Sequence, residues 1–209
     1  MTTPEPQTSV GVVLFDGFEL LDVFGPLEMY GVLPNRFTIQ LVGPTAGTVA
    51  SAQGPRSVAD HAYADAPSCD VLLVPGGIGN RPLLEDRAFL DWLAAQAERA
   101  QLVTSVCTGS ALLAAAGVLD GHRATTNKRA FTWVRELGTD VRWQPQARWV
   151  EDGNRWTSSG VAAGIDMTLA IIASLHGRDV AVGIADGTEY EWHTDASWDP
   201  FAAKNHLVG

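Results

Sequence analysis

A chain of 209 residues, 46% hydrophobic and 18% charged, has the size and composition of one globular domain that can bury its own core. Its net charge of -10 excludes a basic face for phosphate backbones or anionic lipid, and no run approaches the roughly 18 consecutive apolar residues of a membrane span. Two cysteines, Cys69 and Cys107, are too few for a disulfide framework and read as thiols of a reducing compartment.

The opening MTTPEPQTS lacks the basic and apolar regions of a secretory signal. Residues 1–8 therefore read as a flexible leader, residues 9–209 as one domain, and a cytoplasmic location is expected. SVGVVLF, Ser9 to Phe15, is a continuously apolar, β-branched run typical of a strand buried on both faces. LLDVFGPLEMYGVL follows as a helix, FTIQLVG (Phe37 to Gly43) as a second strand, and TVASAQGPRSVADHAYADAP as a short hairpin and loop. VLLVPGG (Val71 to Gly77) repeats the buried-strand pattern. In DRAFLDWLAAQAERA, Phe89, Leu90, Leu93 and Ala97 share one face at helical spacing. QLVTSV (Gln101 to Val106) is another strand, running into a small-residue helix. ARWVEDGNRWTSS reads as two short strands around the turn Asp152-Gly153-Asn154, and GVAAGIDMTLAIIASLHG as a long buried helix stopped by Gly177. Alternation of strand and helix predicts an α/β fold with a mainly parallel sheet covered on both faces.

In such a sheet, reactive groups collect beyond the carboxyl ends of the strands. Three loops there hold unusual residues. Asp22 sits among Leu20, Leu21, Val23 and Phe24, either as a helix cap ahead of Pro26 or as a half-buried acid. PGGIGNRP can turn free N–H groups of Gly77 or Ile78 toward a ligand, although Gly-Gly after a strand is commonly only a turn. Cys107, between a strand and Thr108-Gly109-Ser110, has the pattern of a nucleophile elbow with cysteine for serine. The helix N-terminus would favour its thiolate, and the Thr108 N–H would be one oxyanion donor. A free cysteine is also a common inert core residue, the role assigned to Cys69 in APSCDVLL.

FDGFELLDVFGPLEMYG, VLLVPGG, TSVCTGSALLAAAGVLDGHRATT, WVEDGNRWTSSGVAAGIDM and EYEW together resemble the DJ-1/PfpI superfamily of the class I glutamine-amidotransferase-like group over nearly the whole chain. The branch that looks closest is isonitrile hydratase, together with the amidase-like domains of AraC-type regulators. SVCTGS discriminates, since PfpI-type proteases place histidine after the cysteine and DJ-1 places alanine. The resemblance implies a flavodoxin-like sandwich, a homodimer, Cys107 as nucleophile and Asp22 as its acidic partner, where DJ-1 has glutamate. It departs at Asn127, where many relatives carry histidine. His61, His122, His176, His193 and His206 fall on positions the family does not mark, with His122 and His176 read as surface residues.

The reading that follows is a cofactor-free cysteine hydratase, a lyase acting on a small molecule. Cys107, Asp22 and Thr108 are its catalytic residues, and Gly77 and Ile78 hold the developing charge. Isonitrile hydration to an N-substituted formamide is the specific expectation. A redox-sensing module with an oxidisable Cys107, or another amidase-like or glyoxalase-like activity, is the alternative. No metal cluster, phosphate loop or nucleic-acid element is seen. Phe18, Ile78, Asn127 and Trp192 are expected to shape the pocket, while His193, Trp192 and Trp198 of the tail are read as packing residues, with a pocket lining or a dimer contact as the alternatives.

Overall fold

The structure, a computed structural model, describes residues 7–208. Residues 1–6 of the expected leader lie outside the described residues, and Thr8, assigned to that leader, already belongs to the first strand. In chain order the elements are β1 (Thr8–Val13), α1 (Leu20–Gly31), β2 (Phe37–Gly43), the β3 (Gly47–Ala50) and β4 (Arg56–Ala59) hairpin, β5 (His61–Ala62) and β6 (Val71–Val74). Then come α2 (Asn80–Leu83), α3 (Arg87–Arg99), β7 (Leu102–Ser105), α4 (Gly109–Ala115), β8 (Arg123–Ala124), α5 (Phe131–Arg135) and β9 (Arg142–Trp143). The chain continues through β10 (Trp149–Asp152), β11 (Arg155–Ser158), α6 (Ala163–His176), α7 (Arg178–Gly187) and α8 (Pro200–Lys204).

Seven strands form the central sheet in the order β10-β11-β7-β6-β1-β2-β5. Every neighbouring pair is parallel except β10–β11, the hairpin around Gly153. The inner strands are apolar throughout because both faces are covered: Val10, Val12, Leu73, Val74 and Val103 are fully buried. One layer of helices is α1, α6 and α7, with α6 packed against both of the others, and α2, α3, α4 and α5 form the other. Each fully buried leucine or valine contributes roughly 1.5–3 kcal/mol. α3 follows the sequence reading closely. Asp86 caps it by accepting from the Phe89 N–H at 3.1 Å, and Phe89, Leu90, Leu93 and Ala97 face the core. Cys69 is buried, its sulfur packed where a Cβ on Gly11 would stand 2.8 Å away.

The C-terminal segment, atypical as a sequence, is tied down by one buried acid on α6. Asp166 Oδ2 accepts from Arg148 Nε at 2.7 Å, and Oδ1 accepts from the Tyr190 hydroxyl and the His193 amide, both at 3.0 Å. Trp192 Nε1 donates to the Asp166 carbonyl at 3.1 Å. Burial raises the Asp166 carboxyl and Arg148 opposes the rise. Removing Asp166 leaves the buried Arg148 with only the longer contact to Asp199, 4.0 Å from its Nη1. Asp166→Ala is therefore expected to destabilise the protein by about 3–5 kcal/mol, read as a fall in denaturant midpoint, while Asp195→Ala on the exposed tail shifts it negligibly.

Candidate active site

β7, β6 and β1 are neighbours in the sheet, so the loops at their carboxyl ends lie side by side. This puts the β7–α4 elbow, the β6–α2 glycine loop and the start of α1 against one another. Cys107 sits at the elbow with φ 57°, left-handed backbone that an L-residue adopts only when its surroundings impose it. Three hydrogen bonds do so: its N–H donates to the Ser159 carbonyl at 3.2 Å, and its own carbonyl accepts from Thr126 Oγ1 at 3.0 Å and Ser110 Oγ at 3.1 Å.

Asp22 is fully buried beneath the thiol on the first turn of α1. Its Oδ2 accepts from the Gly76 N–H at 2.8 Å, and Oδ1 is buried with no hydrogen-bond partner among the described residues. Of the two sequence readings, the structure takes the buried acid, since Asp22 lies inside the helix and Glu19 occupies the cap position. Gly76 has to be glycine: a Cβ there would stand 2.6 Å from both the N and Oγ1 of Thr108 and 2.9 Å from Asp22 Oδ2. Burial pushes the Asp22 carboxyl well above the usual carboxylate range, against the Gly76 hydrogen bond, with Glu19 adding to the rise. The Cys107 thiol is likewise pushed up, first by burial and then by Asp22, with the Thr108 amide and Asn127 opposing. Burial and the neighbouring carboxyl thus oppose the helix end that is expected to favour the thiolate.

Thr108 lies where the sequence puts it, its backbone N–H directed at the sulfur. Gly77 is engaged instead: its N–H donates to Thr108 Oγ1 at 3.2 Å. The Ile78 N–H has no acceptor among the described residues, so of the two suggested oxyanion donors Ile78 is the available one. The site opens into a cleft of about 540 Å³ whose floor includes Cys107, Thr108, Gly77 and Asn127. Ile78 and Asn127 line it as expected, but Phe18 and Trp192 do not. Phe18 is wholly in the core, and Trp192 is turned toward Asp166. His193 stacks on Trp198 at 6.0 Å, away from this cleft. His122 is half-buried and pairs with Asp152 at 3.3 Å, and His176 is half-buried beside Phe37.

Two residues enter the site from outside the three loops. Asn127 Nδ2 donates to Cys107 Sγ at 3.2 Å, while its Oδ1 accepts from the Ala130 N–H at 3.2 Å, which fixes the amide's orientation. The neighbouring Lys128 holds the segment from below: it is buried, its Nζ donates to Thr125 Oγ1 at 2.6 Å, and burial pushes its pKa down to about 8. Gly160, just past β11, leaves the space for this contact, since a Cβ there would stand 2.8 Å from the sulfur and collide with the Asn127 amide. The sequence carried a signal for Gly160, a glycine after a strand next to β7, but the hairpin reading of that strand hid its parallel partner.

A parallel α/β sandwich with a strained cysteine at a strand–helix joint defines a flavodoxin-like protein of the cysteine-elbow kind. The DJ-1/PfpI family model matches residues 8–174, and the chain belongs to that family. Isonitrile hydratase of Pseudomonas putida is 39% identical to it over 181 residues, 87% of this chain and 78% of that one. The transcriptional regulator GbdR of Pseudomonas aeruginosa is 32% identical over 194 residues, but the chain spans only 51% of the regulator's length. Among solved structures, a THiJ/PfpI family protein from Pseudomonas syringae superposes with a TM-score of 0.83 at 28% identity, over 97% of this chain and 85% of that one. Among the described residues no group of His, Cys, Asp and Glu is placed to hold a metal ion, and no helix is long and apolar enough to cross a membrane.

Proposed function

We propose that this chain is a hydratase that adds water to a small isonitrile through a covalent adduct on Cys107. The observation that carries the reading is the pairing at the sulfur: Asp22 can carry a proton, whereas Asn127, bonded to Sγ at 3.2 Å, cannot. Hydrolysis of an amide needs a group to protonate the departing amine, commonly histidine. Hydration of an isonitrile expels no leaving group from the substrate, so one carboxyl that gives and retrieves a proton suffices. Similarity to isonitrile hydratase over most of both chains supports the same choice.

In the first step the Cys107 sulfur forms a bond to the terminal isonitrile carbon and Asp22 delivers a proton to that carbon. The thiol's own proton passes to the carboxyl, leaving a neutral thioimidate. Water then adds to the thioimidate carbon, with Asp22 giving its proton to the nitrogen and taking one from the water. The carbon–sulfur bond breaks to release the formamide, and the proton returns to sulfur. The Thr108 and Ile78 amides are the donors for charge that develops along the way.

The test is incubation of purified protein with cyclohexyl isonitrile, following N-cyclohexylformamide by NMR. Catalytic formamide formation is expected, and its absence overturns the reading. Asn127→Ala is expected to lower kcat/KM by about 10²-fold, the scale of one lost donor in a buried site. Asn127→His restores a donor but adds a group that titrates near pH 6.5, so its pH profile gains a limb that the wild type lacks.

A further inference from the structure

The rim of the active-site cleft holds two guanidinium groups that the hydration chemistry does not use. Arg81, on α2, lies with Cζ 3.5 Å above the centre of the Trp133 ring, which comes from α5. Arg129 follows two residues after Asn127, and both arginines are exposed and line the cleft. Neither is ion-paired with a carboxylate among the described residues, although the chain carries 24 acidic residues against 14 basic ones. Glu19 is the cleft's acidic residue, and its Oε1 is occupied by Gln53 Nε2 at 2.7 Å. Two positive charges against one negative thus face the cleft of a protein whose net charge is -10.

Stacking on the indole fixes the plane of the Arg81 guanidinium and leaves its in-plane N–H groups free, the arrangement that binds a carboxylate through two parallel hydrogen bonds. An acidic surface repels anions in general, so a locally positive rim selects them only at this mouth. We propose that the substrate of this cleft carries a carboxylate, which Arg81 and Arg129 hold at the rim while the electrophilic end reaches Cys107. With the hydratase reading of the site, on which this naming of the substrate rests, the class is an isocyano carboxylate.

Two paired measurements test the site, one independent of hydration. Cys107 is alkylated with iodoacetate and with iodoacetamide, reagents of nearly equal size that differ in charge, and modification is followed by peptide mass. The iodoacetate-to-iodoacetamide rate ratio is expected to be about tenfold higher in the wild type than in Arg81→Gln/Arg129→Gln, the scale of one charge-assisted hydrogen bond. Likewise kcat/KM for isocyanoacetate over its methyl ester should fall about tenfold in the same variant. Ratios unchanged by the substitutions overturn the carboxylate site, as does a Cys107 that neither alkylating reagent reaches. Turnover of neither isonitrile, with the alkylation preference intact, strikes the hydratase reading and leaves the carboxylate site standing.

Discussion

Cys107→Gly is expected to abolish formamide formation, by about 10⁴-fold or more, and yet to yield a protein at least as stable as Cys107→Ala. The two variants lack the same sulfur and differ in what the elbow demands of the backbone. At φ 57° any residue with a Cβ is held in a conformation that costs about 1–2 kcal/mol, and glycine is free of that cost. The strain persists because Ser159, Thr126 and Ser110 clamp the residue from both sides, so replacing the side chain does not relax the turn. A chain of this length converts roughly 1 kcal/mol into about 2–4 °C, within reach of thermal melts of the two variants side by side. Glycine melting well below alanine would remove strain from the account of the elbow. Residual turnover in either variant would remove the nucleophile.

The elbow was legible because a strand, a cysteine, Thr108-Gly109-Ser110 and an alanine-rich helix follow one another without interruption, and local order in sequence is local order in space there. β1, β2, β6, β7, α3 and α6 were legible for the same reason, through long apolar runs or a clear helical face. What escaped depends on contacts between distant segments. β8 and β9 are two residues each and pair only with each other, too short to show a period. The role of Asp166 was invisible because its partners, Arg148, Tyr190 and His193, are 18 to 27 positions away. Asn127 stood out in sequence as a missing histidine, but its bond to Sγ requires Gly160, 33 positions on, to lack a side chain. The burial that opposes thiolate character was hidden for a related reason. The sequence displays the helix that follows Cys107 but not how deeply the sulfur is covered.

Asp22→Asn separates the chemistry of the site from its stability. The amide's oxygen can still accept from the Gly76 N–H, as Oδ2 does at 2.8 Å, so the loop keeps its anchor. The side chain can no longer give a proton to carbon or take one from water, and kcat/KM is expected to fall by about 10³-fold, within the usual range for a positioned acid–base group. Stability should move the other way. Because burial raises the folded-state value of Asp22 above the unfolded one, the group's contribution is fully present below the unfolded value of about 3.9 and is lost as pH rises through the folded value. Asparagine has no such loss. Relative to the wild type, the variant should therefore gain stability as pH rises above about 4, and the difference in denaturant midpoint along that rise measures it. The wild type's kcat/KM should decline once pH passes the raised folded-state value of Asp22 and the carboxyl loses its proton, while the residual rate of the variant does not follow that decline. A variant that keeps activity within about tenfold, or that loses stability relative to the wild type as pH rises, would show that the buried carboxyl is structural and that the proton reaches the substrate by another route.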